Sequence, residues 1–256
     1  MVARNQRQEK LIDILSRESS MMVSDLSEKL NSSEMTIRRD LDYLEERGIV
    51  KRFHGGAALA RIEQGQPSFY ERYDEFNQEK SAIGREAANL VTKGCVVFFD
   101  AGTTPLAVIE HIPDYLEFTA ITTGLLTAVS LCNNPYVNVV NIGGNIHHSS
   151  YSSVSHISVE LIKRFHADIA FISTKAVCLP DGIFEAQLAL IEIKQAIVNS
   201  SDRVVLVADN SKFYSRSMCK AISIEQIDLV ITDDKLEDRC VEELKNLNKD
   251  YILAKV

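Results

Sequence analysis

The sequence predicts an α/β protein in two unequal parts: a short run of amphipathic helices closed by a hairpin, then a longer alternation of strands and helices. Three observations predict it. Apolar residues recur at helical spacing through the first fifty residues and give way to short extended runs over 49–60. A stretch of little periodicity carrying Gly65 and Pro67 follows. Beyond residue 77, β-branched apolar runs alternate with amphipathic segments, the pattern of a mainly parallel sheet. The expected division is a domain over 1–60, a linker over 61–76 and a domain over 77–256.

In the first part, Leu11, Ile14 and Leu15 stripe a helix over Arg4–Arg17, and Val23, Leu26 and Leu30 stripe a second. Asn31-Ser32 breaks that helix, and Ser32 or Ser33 caps a third, striped by Ile37, Leu41 and Leu44 and stopped by Gly48. Ile49–Phe53 reads as a strand, His54-Gly55-Gly56 as a tight turn and Ala57–Ala60 as a returning strand. This is a helix-turn-helix with a wing. Thr36, Arg38 and Arg39 lie off the apolar stripe of the third helix, with Ser33 at its start. Such a face suits the major groove, where guanidinium groups read guanine edges or clamp phosphates. Lys51, Arg52 and His54 at the wing are placed to touch phosphate or the minor groove. Asp40 is expected to steady an arginine, because a carboxylate repels phosphate.

A net charge of −8 argues against nucleic acid only for the chain as a whole. Residues 1–60 hold ten Lys/Arg and ten Asp/Glu, so the entire excess of acid lies in the remainder. A neutral domain binds DNA when its cations are gathered on one face. Five scattered cysteines without a CxxC pair read as reduced thiols. No apolar run reaches the roughly 18 residues of a membrane span, and the charged N-terminus lacks a signal-peptide core. The expectation is a cytosolic protein.

Residues Tyr70, Tyr73 and Phe76 either pack on a neighbouring surface or begin the second domain. That domain's expected strands are Cys95–Phe99, Phe118–Thr122, Val137–Ile142, Ile169–Ser173, Val204–Ala208, Leu229–Thr232 and Tyr251–Ala254. The helices expected between them are Glu79–Val91, Pro105–His111, Leu125–Cys132, Ser158–Phe165, Leu188–Ser200 and Leu236–Leu247, which makes the sheet Rossmann-like. In such sheets ligands collect at the carboxyl ends of strands. The loops there are Asp100-Ala101-Gly102-Thr103-Thr104-Pro105, Thr122-Thr123-Gly124, Gly143-Gly144-Asn145 and Asp209-Asn210-Ser211-Lys212-Phe213. Together they offer hydroxyls, glycines that let backbone approach a ligand, Lys212 to neutralise phosphate and Asp209 to accept from a sugar hydroxyl. They point to a pocket for a small phosphorylated polyol. Thr232-Asp233-Asp234 reads as the cap of the helix near Leu236. The histidines lack metal-ligand spacing, and there is no GxSxG, Walker or GxGxxG motif, so neither metal nor cofactor is expected.

The N-terminal part resembles the DeoR-type family of bacterial transcriptional regulators. The matching residues are Arg7, Leu11 and Leu15, then at the family's gap Ser33-x-x-Thr36-Ile37-Arg38-Arg39-Asp40-Leu41, and His54-Gly55-Gly56-Ala57 at the wing. The resemblance continues through Asp100-x-Gly-Thr-Thr104, Gly143-Gly144, Asp168, Lys194, Asp209-x-Ser211-Lys212-Phe213 and Ile231-Thr232-Asp233. It implies a sensor domain similar to ribose-phosphate isomerases that binds a phosphorylated sugar, with Lys194 joining the loops above at the effector site. It also implies a homo-oligomeric repressor, dimer or tetramer, of a carbohydrate uptake or catabolic operon that leaves operator DNA when effector binds. Ser155, Ser173 and Ala176 stand where the family usually carries glycine, so the effector is not assigned. The alternatives are an isomerase-like enzyme fused to a DNA-binding module, with Asp100, Asp209 and Lys212 moving protons, and an activator built from the same parts.

Overall fold

The computed structural model describes residues 2–18, 20–46, 49–53, 55–59, 69–214 and 217–256. The chain divides into two compact units, 1–66 and 67–256. The first unit runs α1 (Val2–Glu18), β1 (Ser20–Met22), α2 (Val23–Lys29), α3 (Glu34–Glu46), β2 (Val50–Phe53) and β3 (Gly56–Leu59). The three apolar stripes converge: Leu11, Leu15, Val23, Leu26, Ile37, Leu41 and Leu44 close on Val50 and Ala57. Strand β3 pairs antiparallel with β2 and also with β1. Three residues of β1 carry no periodicity of their own, and their extended form comes from pairing Ser20 with Ala58. Asp40 is buried within this unit. Its two oxygens accept from Arg7 Nε at 2.5 Å and Gln8 Nε2 at 3.2 Å, which ties α1 to α3. Gly48, His54 and residues 60–68 lie outside the described residues.

The linker expected over 61–76 is shorter than the sequence suggests. Phe69–Asp74 is a helix, α4, in the second unit. Phe69 is buried and meets Tyr151 edge-on with ring centroids 6.0 Å apart, while Tyr73 donates to Glu110 at 2.8 Å. Aromatic burial holds these six residues, a length too short to show a helical stripe.

The second unit continues with α5 (Asn77–Ala88), β4 (Val96–Phe99), α6 (Thr103–Ile109), β5 (Phe118–Thr122), α7 (Leu125–Cys132), β6 (Val137–Asn141), β7 (Ile146–His147), β8 (Ser152–Ser153), α8 (His156–Ile162) and β9 (Ile169–Ile172). It ends with β10 (Ala176–Cys178), β11 (Gly182–Glu185), α9 (Leu188–Asn199), β12 (Val204–Val207), β13 (Cys219–Ser223), β14 (Leu229–Asp233), α10 (Asp238–Asn246) and β15 (Asp250–Ala254). The seven expected strands form one parallel sheet in the order β15-β14-β12-β9-β4-β5-β6. Successive side chains face opposite layers. Val97 and Phe99 pack with Ile83 of α5, Val108 of α6 and Leu131 of α7, whereas Phe98 packs with Ile162 of α8, Ile197 of α9 and Leu244 of α10. Gly84 of α5 brings α6 close, since a Cβ there would stand 2.4 Å from the Ala107 carbonyl oxygen.

Two small antiparallel pieces were not visible in the pattern, the β7–β8 hairpin and the β10-β11-β13 sheet. Their strands have two to five residues, and β13 reaches β11 from more than thirty residues away. The chain leaves β4 towards β5 and β6 and later returns on the other side as β9, so the strand order reverses between β4 and β9. That reversal opens a crevice at the carboxyl ends of both strands. Among the described residues, no helix is long and apolar enough to cross a membrane.

A candidate anion pocket and a candidate DNA-contacting helix

All seven strands are parallel, so the four loops singled out in the sequence emerge at one edge of the sheet. At the reversal point Asp100 leaves β4 and is buried. Its carboxylate accepts from the N–H groups of Ala101 at 2.9 Å and Ser173 at 3.2 Å, and from the ammonium of Lys194. Lys194 also donates to the Ser173 carbonyl at 2.6 Å and lies 3.4 Å from Glu185 Oε1. Burial alone would depress the Lys194 ammonium, but Asp100 and Glu185 outweigh it and hold the pKa above its ordinary value. Burial pushes the Glu185 carboxyl up, against the pull of Lys194. Lys194 therefore ties α9 to the ends of β4, β9 and β11.

The neighbouring loops are built by short local bonds. Thr122 donates to the Phe99 carbonyl at 2.8 Å and accepts from Gly124 N–H at 3.0 Å. Thr123 is buried and its hydroxyl is unpartnered among the described residues. Gly102, Thr103 and Thr104 begin α6, and no described group engages either hydroxyl. Gly143 and Gly144 are exposed. Gly144 has φ +155°, and a Cβ there would lie 2.0 Å from Ser158 Oγ, so the loop needs glycine. Asp209 ends β12, accepts from Ser211 N–H at 3.1 Å and from the Ser211 hydroxyl, and lies 3.5 Å from Lys212 Nζ. Asp233 does not cap α10, which begins at Asp238. It accepts from Asn210 N–H and Nδ2, both at 2.7 Å, and so fixes the Asp209 loop from β14.

Three basic residues that the sequence reading missed join this edge. Lys80 on α5 is 2% exposed, and its ammonium donates to the carbonyl of Arg72 and, at 2.7 Å, to that of Tyr73. No carboxylate lies within ion-pair distance of it among the described residues. Burial, opposed by the charge of Asp209, lowers its pKa to about 8. Arg72 on α4 donates to the Ser149 carbonyl at 2.9 Å, and burial lowers its pKa despite Glu185. Lys175 follows β9; burial lowers its pKa, and the charges of Lys212 and Arg72 add to the effect. One signal in the sequence pointed to Lys80, which shares the buried stripe of α5 with Ile83 and Ala87. Arg72 sat in the supposed linker, and only the tertiary fold brings Lys175 to it.

Other expectations move. Asp168 accepts from Val96 N–H at 2.7 Å, at the amino end of β4, opposite the pocket edge. Ser155 caps α8 by accepting from Ser158 N–H at 3.1 Å. Ala176 is wholly buried in β10 and adds no hydroxyl. Among the described residues no group of His, Cys, Asp and Glu is placed to hold a metal ion.

In the first unit, α3 presents Arg38 and Arg39 to solvent. Arg38 makes an exposed i,i+4 pair with Glu34 at 3.2 Å, a contact worth about 0.3–0.5 kcal/mol and readily exchanged for a phosphate or a guanine edge. Ser33 Oγ lies 2.9 Å from Thr36 Oγ1 and accepts from its N–H at 3.3 Å, which sets the start of the helix. Lys51 is exposed on β2. Arg52, expected at the DNA, instead pairs its guanidinium with Asp42 of α3, and its N–H donates to Glu45 at 2.8 Å. That arginine braces the wing against α3.

Comparison with known proteins places both units. Residues 7–63 match the DeoR-like helix-turn-helix domain, and residues 75–234 match the DeoR C terminal sensor domain. The chain is 34% identical to the HTH-type transcriptional regulator GolR of Listeria innocua, over 90% of this chain and 91% of that one. It is 31% identical to the HTH-type transcriptional regulator GlpR of Haloferax volcanii, over 94% of each chain. It is 28% identical to the glycerol-3-phosphate regulon repressor of Escherichia coli, over 89% of this chain and 90% of that one. Among solved structures, ribose 5-phosphate isomerase A of Methanocaldococcus jannaschii superposes with a TM-score of 0.41 at 16% identity, over 54% of this chain and 55% of that one.

Lys194→Met is expected to destabilise the chain by about 3–5 kcal/mol, because it leaves Asp100 and Glu185 buried without their counter-charge. Urea unfolding followed by circular dichroism measures the loss.

Proposed function

The chain belongs to the DeoR family of transcriptional regulators, and on that footing we propose that it represses an operon for carbohydrate uptake or breakdown. In this reading a phosphorylated sugar or a related metabolite releases it from operator DNA. The observation that carries the effector half is Lys80, a buried ammonium whose hydrogen bonds go to neutral carbonyls. An unpaired buried charge is costly, and an anion beside it offsets the cost. Arg72, Lys175 and Lys212 give that anion further counter-charge. The hydroxyls of Thr103 and Thr104 and the glycines of the 143–144 loop supply polar groups and room. A protein of this kind works in the cytosol as a homo-oligomer, since paired operator half-sites require at least a dimer.

The pocket is better fitted to binding than to isomerisation. Asp100 is committed to Lys194 and two backbone N–H groups, and Asp209 to Ser211, so neither carboxylate is poised over a substrate carbon. Purified protein should show no turnover of ribose 5-phosphate in a coupled assay; sustained turnover would reinstate the enzyme.

In the DNA half, Thr36, Arg38 and Arg39 contact the operator. Arg38→Ala is expected to weaken operator binding by about 1–3 kcal/mol and to reduce sequence preference, as read by fluorescence anisotropy. Lys212→Ala should bind operator normally yet stay bound at sugar-phosphate concentrations that release the wild type, as seen in gel-shift titrations. A third expectation concerns pH. The free pocket loses the Lys80 proton as pH rises through about 8, whereas a bound anion holds that proton on. Effector affinity should therefore be highest between about pH 6, where a phosphate monoester completes its second ionisation, and about pH 8, and fall above that. Isothermal titration from pH 5.5 to 9.5 measures it, and Lys80→Met should flatten the alkaline limb.

A further inference from the structure

The distribution of charge around this pocket specifies more than one phosphate. Lys175 follows the end of β9, and its N–H donates at 3.3 Å to Glu185 Oε1, the same oxygen that lies 3.4 Å from Lys194. Its backbone is thus pinned beside the buried Asp100–Lys194 pair. Its half-buried ammonium, by contrast, makes no hydrogen bond and no ion pair among the described residues. Arg72 also lies within electrostatic reach of Glu185 and donates only to a neutral carbonyl. Lys80 meets two neutral carbonyls. Only Lys212 has a carboxylate near it, and Asp209 is already engaged by Ser211.

The four cations are spread along the edge. Lys80 feels Asp209 and Lys212 most among its neighbours' charges, whereas Lys175 feels Lys212, Arg72 and Glu185. Arg72 and Lys212 thus lie between two outer ammonium groups that act on different parts of the pocket. A single phosphate placed against Lys80 leaves Lys175 without a counter-charge. Like charges held together in a partly desolvated site raise each other's cost, so a second anion is the direct remedy.

Resting on the reading that the pocket binds a phosphorylated sugar or derivative, we infer that the effector carries a second anionic group, a carboxylate or another phosphate, and that Lys175 recognises it. Lys175 is then the residue that separates doubly anionic ligands from simple sugar monophosphates. Its ammonium pairs with the second group, and Arg72 and Lys212 are shared between the two.

The test uses matched pairs differing by one anionic group: glucose 6-phosphate with 6-phosphogluconate, fructose 6-phosphate with fructose 1,6-bisphosphate, and orthophosphate with pyrophosphate. Each is titrated calorimetrically into the full-length wild type and into Lys175→Met, which keeps the aliphatic stem. The expected result is at least tenfold tighter binding of the doubly anionic member of one pair or more. In Lys175→Met that preference drops below about threefold, while affinity for the monophosphates and for operator DNA is unchanged. If monophosphates bind but no pair discriminates, or if Lys175→Met weakens both members equally, the second anionic point is wrong while the sugar-phosphate reading stands. If none of the six compounds binds, the sugar-phosphate reading fails and this inference falls with it.

Discussion

An ammonium group taken out of water must meet carboxylates or the chain does not fold around it, and Lys194 is such a group. It lies on α9, two elements beyond the strand whose end it holds, and reaches Asp100 after β4, the Ser173 carbonyl after β9 and Glu185 on β11. These are the strands on either side of the point where the order of the parallel sheet reverses, together with the hairpin beside it. Any sheet of this topology splays apart there and leaves a crevice. In this protein the crevice floor is a closed ionic cluster, and its rigidity sets the position of everything above it. The Asp100 loop, the start of α6 and the backbone of Lys175 are each held by an atom belonging to that cluster.

The outer ring obeys a different rule. Lys80, Arg72 and Lys175 are removed from water to varying degrees but are given carbonyls or nothing in place of carboxylates. The protein therefore keeps two kinds of cation within one site: Lys194, internally neutralised and structural, and the others, still seeking negative charge. The arrangement favours binding an anion over transforming one, because the acids near the reaction centre of any isomerisation are already spent on the fold. The segment that contributes Arg72, α4, also carries Phe69 and Tyr73, whose rings fix it to Tyr151 and Glu110, so a ligand held by Arg72 acts directly on this short helix.

The N-terminal unit solves a smaller version of the same problem. Asp40 points inward from the helix that carries Arg38 and Arg39, and it is neutralised by Arg7 and held by Gln8. Its burial ties the angle of α3 to α1 while removing a negative charge from the face that would meet phosphate. Arg52 makes the complementary sacrifice, giving its charge to Asp42 so that the wing is braced.

By itself the sequence determined the parts. The stripes Leu11–Leu15, Val23–Leu26 and Ile37–Leu44, and seven β-branched runs, specified the helices and the parallel strands to within one or two residues. Hydrophobic period is a local property that burial enforces. The same holds for the edge at which Asp100, Thr103, Gly143 and Lys212 gather, because parallel strands put all their carboxyl ends on one side. Tertiary structure alone decided which charges meet. Lys80 comes from a helix stripe, Arg72 from a stretch that read as linker and Lys175 from a turn between strands. None has a sequence neighbour that reveals its role, since the energy of a buried charge depends on what surrounds it in space.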